Sequence, residues 1–284
     1  MGQDLAASVR ARLLNIAKAE QTDFNAVLVR YALERFLYRL SQSTHAEHFV
    51  LKGAMLFNLW YAMPHRPTRD VDLLGFGASD LDAIAQAFRE IVSVAAADGM
   101  VFDAASVSVE EIRKSAGYAG ARVLVSAELA RARCKTQIDI GFGDAITPGP
   151  VLIADFPAPQ LRTYPVYTVV AEKLHAMVLL GMTNSRLKDY LDLWMLLDRE
   201  ALDPGILARA IAATFNRRGT LLPTELPIGL SDEFAGDASR QALWAAFLRK
   251  NGLKAMPLGD VVGALRQRLQ PALGYATSRG ADPG

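Results

Sequence analysis

The stretch that decides the fold is DVDLL, residues 70–74. Its alternation of acidic and apolar residues predicts a β-strand that ends at the glycines that follow. Side chains at positions i and i+2 of a strand lie on the same face, so Asp70 and Asp72 share one face while Val71 and Leu73 point to a core. Two carboxylates held this close repel each other. The pair is therefore tolerated where water solvates it or where a divalent cation neutralises it.

A third carboxylate, Asp139, lies on another predicted strand, residues 131–140, between two isoleucines. An isolated acid among β-branched residues needs a partner. Three carboxylates that converge from two neighbouring strands would form a hard-oxygen site for one or two Mg²⁺ ions, which can activate a hydroxyl nucleophile and stabilise a leaving oxygen. The alternative is that the first two acids are surface residues, with Arg66 and Arg69 as ion-pair partners.

The strand that carries Asp139 also carries cations. Arg131, Arg133 and Lys135 share the parity of Asp139. If the strand is regular, one face is a row of cations that leads to the acid, a surface suited to a triphosphate or an RNA backbone. The alternative is an ordinary solvated face of an antiparallel sheet.

Charged residues also interrupt two apolar helices in the second half of the chain. Lys173 lies in VVAEKLHAMVLL and either extends to the surface or is held by an opposite charge. Further on, Asp192 follows Lys188 at i,i+4 and Asp189 at i,i+3, in a segment that is otherwise nearly all apolar. Asp192 is therefore a candidate functional acid, and a structural salt bridge to Lys188 is the alternative.

Around these segments, the chain divides into a mixed α/β half and a helical half. We predict strands at residues 49–51, 70–74, 121–128 and 131–140, and a Pro/Gly-rich linker at residues 143–165. We predict two helices within the first 42 residues and further helices at 54–62 (ended by Pro64 and Pro67), 78–97, 166–180, 186–198, 204–215, 239–250 and 260–269, with a loop at 217–236.

Composition limits the classes of protein. The 284 residues are 51% hydrophobic and 21% charged, which is typical of a globular chain. The net charge of +1 excludes a whole-molecule field for polyanions, so any nucleic-acid contact must rest on a local patch. The single cysteine, Cys134, fits a reducing compartment. We expect no export signal. We also expect no membrane span, because the best uncharged apolar stretch, residues 176–182, is far shorter than the roughly 20 residues that a span needs. These expectations together favour a cytoplasmic protein.

Taken together, the segments resemble the AbiEii/AbiGii toxin family of nucleotidyltransferases, which includes the MenT toxins. The residues that carry the resemblance come in the family's order, and they are Leu51-Lys52-Gly53, Arg66-Pro67-Thr68-Arg69-Asp70-Val71-Asp72-Leu73, Ile138-Asp139-Ile140, Ala171-Glu172-Lys173-Leu174-His175-Ala176 and Arg186-Leu187-Lys188-Asp189-Tyr190-Leu191-Asp192-Leu193. They cover residues 49–197.

The resemblance implies an α+β fold, with a polymerase-β-like nucleotidyltransferase core (a mixed sheet with flanking helices) and a C-terminal helical domain. The core would span residues 1–160 with the N-terminal helices, and the helical domain residues 161–284. The implied protein is the toxin of a toxin–antitoxin pair, with a cognate antitoxin as partner and no membrane partner. It would transfer NMP from NTP to an acceptor hydroxyl, for which a tRNA 3′ end is the first candidate, with release of pyrophosphate and dependence on Mg²⁺.

The resemblance also assigns roles to residues. The catalytic residues would be Asp70, Asp72, Asp139, Lys173 and Asp192, of which Asp70, Asp72 and Asp139 would hold one or two Mg²⁺ ions. The nucleotide-binding residues would be Lys52, Gly53, Thr68, Arg69, Lys173 and Lys188. Arg131, Arg133 and Lys135 are candidates for RNA contact.

One departure from the family concerns the turn after Lys52. The family usually has Gly-Gly or Gly-Ser/Thr there, whereas this chain has Gly53-Ala54-Met55. Backbone N–H groups can still bind phosphate at a helix start, and Thr68 is a candidate source of the missing hydroxyl. Two alternatives stay open: the same chemistry on a protein or small-molecule acceptor, and a catalytically dead binding protein with this fold.

Overall fold

The structure is a computed structural model of the chain. It describes residues 2–61, 68–77, 79–113, 119–147, 151–153, 161–254 and 256–280. Arg66, Pro64 and Pro67 of the sequence analysis lie outside these ranges. Two compact units are present, Met1–Gly143 with Val151–Thr163 and Asp144–Pro150 with Tyr164–Gly284.

The first unit is built on a mixed sheet. Its helices are α1 (Gly2–Ala19), α2 (Phe24–Gln42), α3 (Met55–Trp60) and α4 (Leu81–Val92), and its strands are β1 (Phe49–Lys52), β2 (Asp70–Gly75), β3 (Met100–Arg113), β4 (Ala119–Leu129), β5 (Ala132–Phe142), β6 (Val151–Ile153) and β7 (Leu161–Thr163). Among the described residues the strand order is β3-β4-β5-β2-β1-β7-β6. The central β2 pairs parallel with β5 and antiparallel with β1. The predicted strand at residues 70–74 and the mixed sheet are confirmed.

The apolar face of the sheet packs against α2 and α4. Val71 and Leu73 of β2 are fully buried, as the alternation predicts. Phe36 of α2 stacks on Phe88 of α4, with 5.6 Å between ring centroids. The opposite face of β2 and β5 is thereby left for the polar side chains. Because the apolar residues of β2 and β5 face the helices, the acids that alternate with them lie on the other face of the sheet.

Several elements of the first unit differ from the sequence prediction. The helix predicted at 78–97 is shorter, because Asp80 caps α4 through the N–H of Ala83. The 14-residue strand β3 was not predicted, since the pairing of β3 with β4 shifts register between Asp103 and Ser108 and breaks the alternation. The predicted linker at 143–165 contains the short strands β6 and β7, which extend the sheet beside β1.

The second unit is helical in its described part, as predicted. Its helices are α5 (Val166–Leu180), α6 (Leu187–Arg199), α7 (Pro204–Arg217), α8 (Asp232–Gly236), α9 (Ala238–Lys250) and α10 (Leu258–Gly280). Four predicted helices, α5, α6, α7 and α9, are confirmed within a few residues. The predicted loop at 217–236 contains α8, and α10 continues past Pro271 instead of ending at residue 269.

One segment of the second unit, Val166–Thr183, is long and apolar enough to cross a membrane by length and composition alone. Our expectation concerned uncharged stretches, and this segment contains Glu172 and Lys173. Lys173 in this segment forms ion pairs with two carboxylates, and His175 is buried with a hydroxyl partner. These partners are typical of a core helix in a folded domain.

Candidate active site

A row of charged residues crosses five neighbouring strands. The residues that lie opposite one another in this row, in sheet order, are Glu110, Arg122, Asp139, Asp72 and Lys52. Directly opposite residues of a sheet share a face and have Cβ atoms about 5 Å apart. Asp70 lies two residues before Asp72 and therefore on the same face. The register thus brings the three predicted acids of the first unit together.

Gly53 follows the last member of this row and approaches Asp72 closely. Its φ is +75°, and a Cβ added there would lie 2.2 Å from Oδ2 of Asp72. A side chain at this position would meet both left-handed backbone strain and a direct clash with the carboxylate. The backbone of the turn after Lys52 can lie against Asp72 only because residue 53 is glycine.

Asp139 is held by a cation that the sequence analysis did not identify. Nε and Nη2 of Arg122 donate hydrogen bonds to Oδ1 and Oδ2 of Asp139, each at 2.9 Å. Nε2 of Gln137 donates a third hydrogen bond to Oδ1, at 3.1 Å. The hydrogen bond to Asp139 raises the pKa of the Arg122 guanidinium, and the charges of Glu110 and Asp70 add to this effect. Arg122 therefore stays protonated and pairs with the acid in the bidentate geometry of a strong ion pair.

The fit of this face to Mg²⁺ differs among the three acids. Asp70 and Asp72 supply the carboxylate oxygens that Mg²⁺ prefers. Both oxygens of Asp139 already accept hydrogen bonds from Arg122. Across the described ranges, no three His, Cys, Asp or Glu side chains converge as ligands of one ion. The site made of Asp70, Asp72 and Asp139 stays a prediction.

Thr68 and Arg69 precede the first acid. The hydroxyl of Thr68 donates to the carboxylate and carbonyl oxygens of Asp70, at 3.2 and 3.3 Å. Thr68 therefore contacts an acid of the site in this structure. Arg69 is exposed, while Lys52 is buried, with 6% of its surface exposed.

The second unit carries its own buried charge cluster. Nζ of Lys173 lies 2.7 Å from Oδ1 of Asp189 and 2.7 Å from Oδ2 of Asp192. The Asp192 side chain is fully buried, and the Asp189 side chain is 7% exposed. Arg186 lies 3.6 Å from the other oxygen of Asp189. Lys173 is thus held by opposite charge, as one of the two sequence alternatives predicted.

Asp189 was not among the predicted site residues, although its spacing from Asp192 indicated a shared helix face. Lys188, the expected alternative partner of Asp192, is exposed on α6. The structure gives Asp192 a partner from another helix, Lys173 of α5.

The predicted cations on β5 lie along a groove of about 1820 Å³ in the first unit. Arg133 and Lys135 are exposed on the open face of β5, as their parity predicts. Arg131 lies outside the strand, in a two-residue hairpin turn where φ is 45° at Ala130 and 66° at Arg131. The groove brings the three predicted RNA contacts together. Acidic groups line it too, and Arg133 is 2.9 Å from Glu128.

A further polar cluster in the second unit surrounds His175. Nε2 of this buried ring is 2.9 Å from the Thr220 hydroxyl, and Nδ1 accepts from Arg218 at 3.3 Å. Burial first, and then the charge of Arg218, lowers the pKa of His175 to about 4. Arg218 also pairs with Asp144 and Glu172, each at 3.1 Å. His175 is therefore neutral at pH 7 and packed in the core of the second unit.

Comparison with known proteins identifies the class. The sequence matches the family described as nucleotidyl transferase AbiEii toxin, type IV toxin–antitoxin system, over residues 35–270. The chain belongs to this family. Among curated proteins, none matches the sequence significantly.

Two solved structures from Helicobacter pylori have a similar fold. One, a candidate nucleotidyltransferase, is 16% identical, covers 89% of this chain and 97% of its own, and has a TM-score of 0.54. The other, JHP933, is 15% identical, covers 90% and 94%, and has a TM-score of 0.54. The likeness confirms the α+β fold, in which a mixed sheet has flanking helices. Family membership makes the chain a nucleotidyltransferase toxin, and a type IV system implies a cognate antitoxin as its partner.

Proposed function

We propose that the chain transfers a nucleoside monophosphate from an NTP to the 3′-hydroxyl of a tRNA and releases pyrophosphate. The observation that carries this proposal is the row that places Asp72 and Asp139 opposite each other on β2 and β5, with Asp70 on the same face. In the reaction, the acceptor oxygen bonds to the α-phosphorus while the bond from that phosphorus to the bridging oxygen of pyrophosphate breaks. The hydroxyl proton leaves to a carboxylate of this face.

A divalent cation is part of the proposal. Carboxylates of Asp70 and Asp72 would hold Mg²⁺, and Asp139 would join them if it leaves Arg122. When bound, Mg²⁺ neutralises charge on the phosphates and on the leaving oxygen. The chain itself contributes the close backbone approach at Gly53 and the hydroxyl of Thr68, which orients Asp70.

We further propose that Lys173 contacts the nucleotide phosphates. Its Nζ donates hydrogen bonds to the carboxylates of Asp189 and Asp192, each at 2.7 Å. Two buried carboxylates fix the position of the ammonium group more tightly than one would. Lys52 and Arg69 stay candidates for nucleotide contact on the first unit, and Lys188 on the second.

The preference for an RNA acceptor rests on the groove lined by Arg131, Arg133 and Lys135. Cations that lie along a groove suit a phosphate backbone and position it without reading its sequence. A protein or small-molecule hydroxyl would not need this surface. NTP and tRNA are both cytoplasmic, so the proposal places the protein in the cytoplasm.

Label transfer tests this function. Purified protein is incubated with Mg²⁺, total tRNA and each α-labelled NTP in turn, beside Asp72→Asn and the matched control Asp82→Asn, an exposed acid on α4. Label on tRNA with the wild type and with Asp82→Asn, but not with Asp72→Asn, supports the proposal and names the nucleotide. Label on protein alone would show that the acceptor is a protein and not tRNA. No label on any acceptor would favour a catalytically dead binding protein.

A further inference from the structure

Arg122 has a second acidic neighbour besides Asp139. Nη1 of Arg122 lies 3.8 Å from Oε1 of Glu110, on the strand at the other side of β4. The register places Arg122 directly between the two acids, Glu110 on β3 and Asp139 on β5. The contact with Asp139 is the shorter one, at 2.9 Å. Small rotations of the Arg122 side chain would therefore bring its guanidinium into contact with either carboxylate.

The two acids differ in their access to water. The Asp139 side chain is 12% exposed, the Arg122 side chain 33% and the Glu110 side chain 60%. Burial makes an unpaired Asp139 costly, whereas water can solvate Glu110 without a partner. In the absence of another cation, Arg122 is therefore held at Asp139.

We propose that Arg122 and a divalent cation compete for Asp139, and that Arg122 moves to Glu110 when the cation binds. Arg122 is then a positioning residue: it orients Asp139 before the cation arrives, and Glu110 receives it afterwards. The proposal rests on the proposed function, because the cation concerned is the one required for nucleotidyl transfer.

Two single substitutions have opposite expected effects on cation affinity. Arg122→Gln removes the competitor, and we expect it to tighten cation binding by about tenfold, since a charge-assisted pair must no longer be broken. Glu110→Gln removes the alternative partner, and we expect it to weaken cation binding by about twofold to fivefold. A purely structural ion pair also predicts some gain for Arg122→Gln, because a positive charge is lost beside the site, but it predicts no effect of Glu110→Gln beyond that of Glu111→Gln.

The measurement is Mn²⁺ binding to the full chain without NTP, followed by the electron paramagnetic resonance signal of the free ion. The matched controls are Arg89→Gln, an exposed cation on α4, and Glu111→Gln, the neighbour of Glu110 that lies on the other face of β3. Both controls should bind as the wild type does. Thermal unfolding of each variant confirms that it is folded, and Glu110→Gln keeps the test available if Arg122→Gln does not fold.

Tighter binding by Arg122→Gln together with weaker binding by Glu110→Gln supports the proposal. Unchanged or weaker binding by Arg122→Gln overturns it, as does the failure of both the wild type and Arg122→Gln to bind Mn²⁺. Label transfer by the wild type is measured in parallel. If transfer occurs but the affinities do not change, only the role of Arg122 is wrong, whereas loss of transfer and of cation binding together would reject the proposed function.

Discussion

Replacement of Gly53 by alanine gives the sharpest test of how the first unit holds Asp72. The added Cβ would lie 2.2 Å from Oδ2 of Asp72, and ordinary contact begins at about 3.4 Å. The carboxylate or the turn must therefore move by about 1 Å. Misplacement of a reacting group by about 1 Å costs on the order of 100-fold in rate. We expect Gly53→Ala to reduce nucleotidyl transfer by about that factor.

The matched control is Gly77→Ala. Gly77 also has a positive φ, +105°, but nothing lies within 4 Å of a Cβ added there. Both variants therefore carry left-handed backbone strain, which costs about 1–2 kcal/mol of unfolding free energy, and only Gly53→Ala displaces a carboxylate. Urea unfolding and label transfer are measured for each. If Gly53→Ala retains the transfer rate of Gly77→Ala, the close approach to Asp72 has no part in the reaction.

Three further predictions concern other parts of the chain. Asp192→Asn should lower the unfolding free energy by about 3 kcal/mol, because it removes a fully buried ionic partner of Lys173. The control Asp198→Asn, at an exposed position of the same helix, should change it by less than about 0.5 kcal/mol. Equal losses of the two variants in urea unfolding would contradict this prediction. Folding lowers the pKa of His175 from 6.5 to about 4, so between these pH values the unfolded chain binds a proton that the folded chain does not. The unfolding free energy should therefore decrease as pH falls from about 6.5 towards 4, by at most about 1.4 kcal/mol per pH unit. His175→Gln should reduce this slope, and an unchanged slope would contradict the assignment. Arg131→Gly should raise the unfolding free energy by about 0.5–1 kcal/mol, because Arg131 has a φ of 66° in its turn, and a loss of stability would show that the arginine side chain stabilises the hairpin.

The sequence predicted the acids of the site better than their partners. The alternation at 70–74 was enough to place Asp70 and Asp72 on one face, because strand periodicity is local. The pairing of Asp139 with Arg122 depends on the register of β4 against β5, over 17 residues of sequence separation. Nothing in the local pattern around Arg122 distinguishes it from an ordinary solvated arginine, so this partner required the structure.

In the second unit, the sequence predicted which residues need partners but not how they pair. The i,i+3 spacing places Asp189 and Asp192 on one helix face, and the apolar surroundings of Lys173 indicate that it needs an opposite charge. The pairing itself depends on how α5 packs against α6, which helix periodicity does not determine. The strands at 121–128 and 131–140 indicated a tight hairpin, which the register confirms, but the positive φ of Ala130 and Arg131 was not predicted, because neither residue is typical of such positions.

The most direct test of the central claim is the intact mass of a single purified tRNA after incubation with the protein, Mg²⁺ and all four NTPs. The account predicts that the mass increases by whole nucleoside monophosphate units at the 3′ end with the wild-type chain and does not change with Asp72→Asn. An unchanged tRNA mass with the wild-type chain, under conditions where the protein is folded, would contradict the assignment of tRNA as the acceptor.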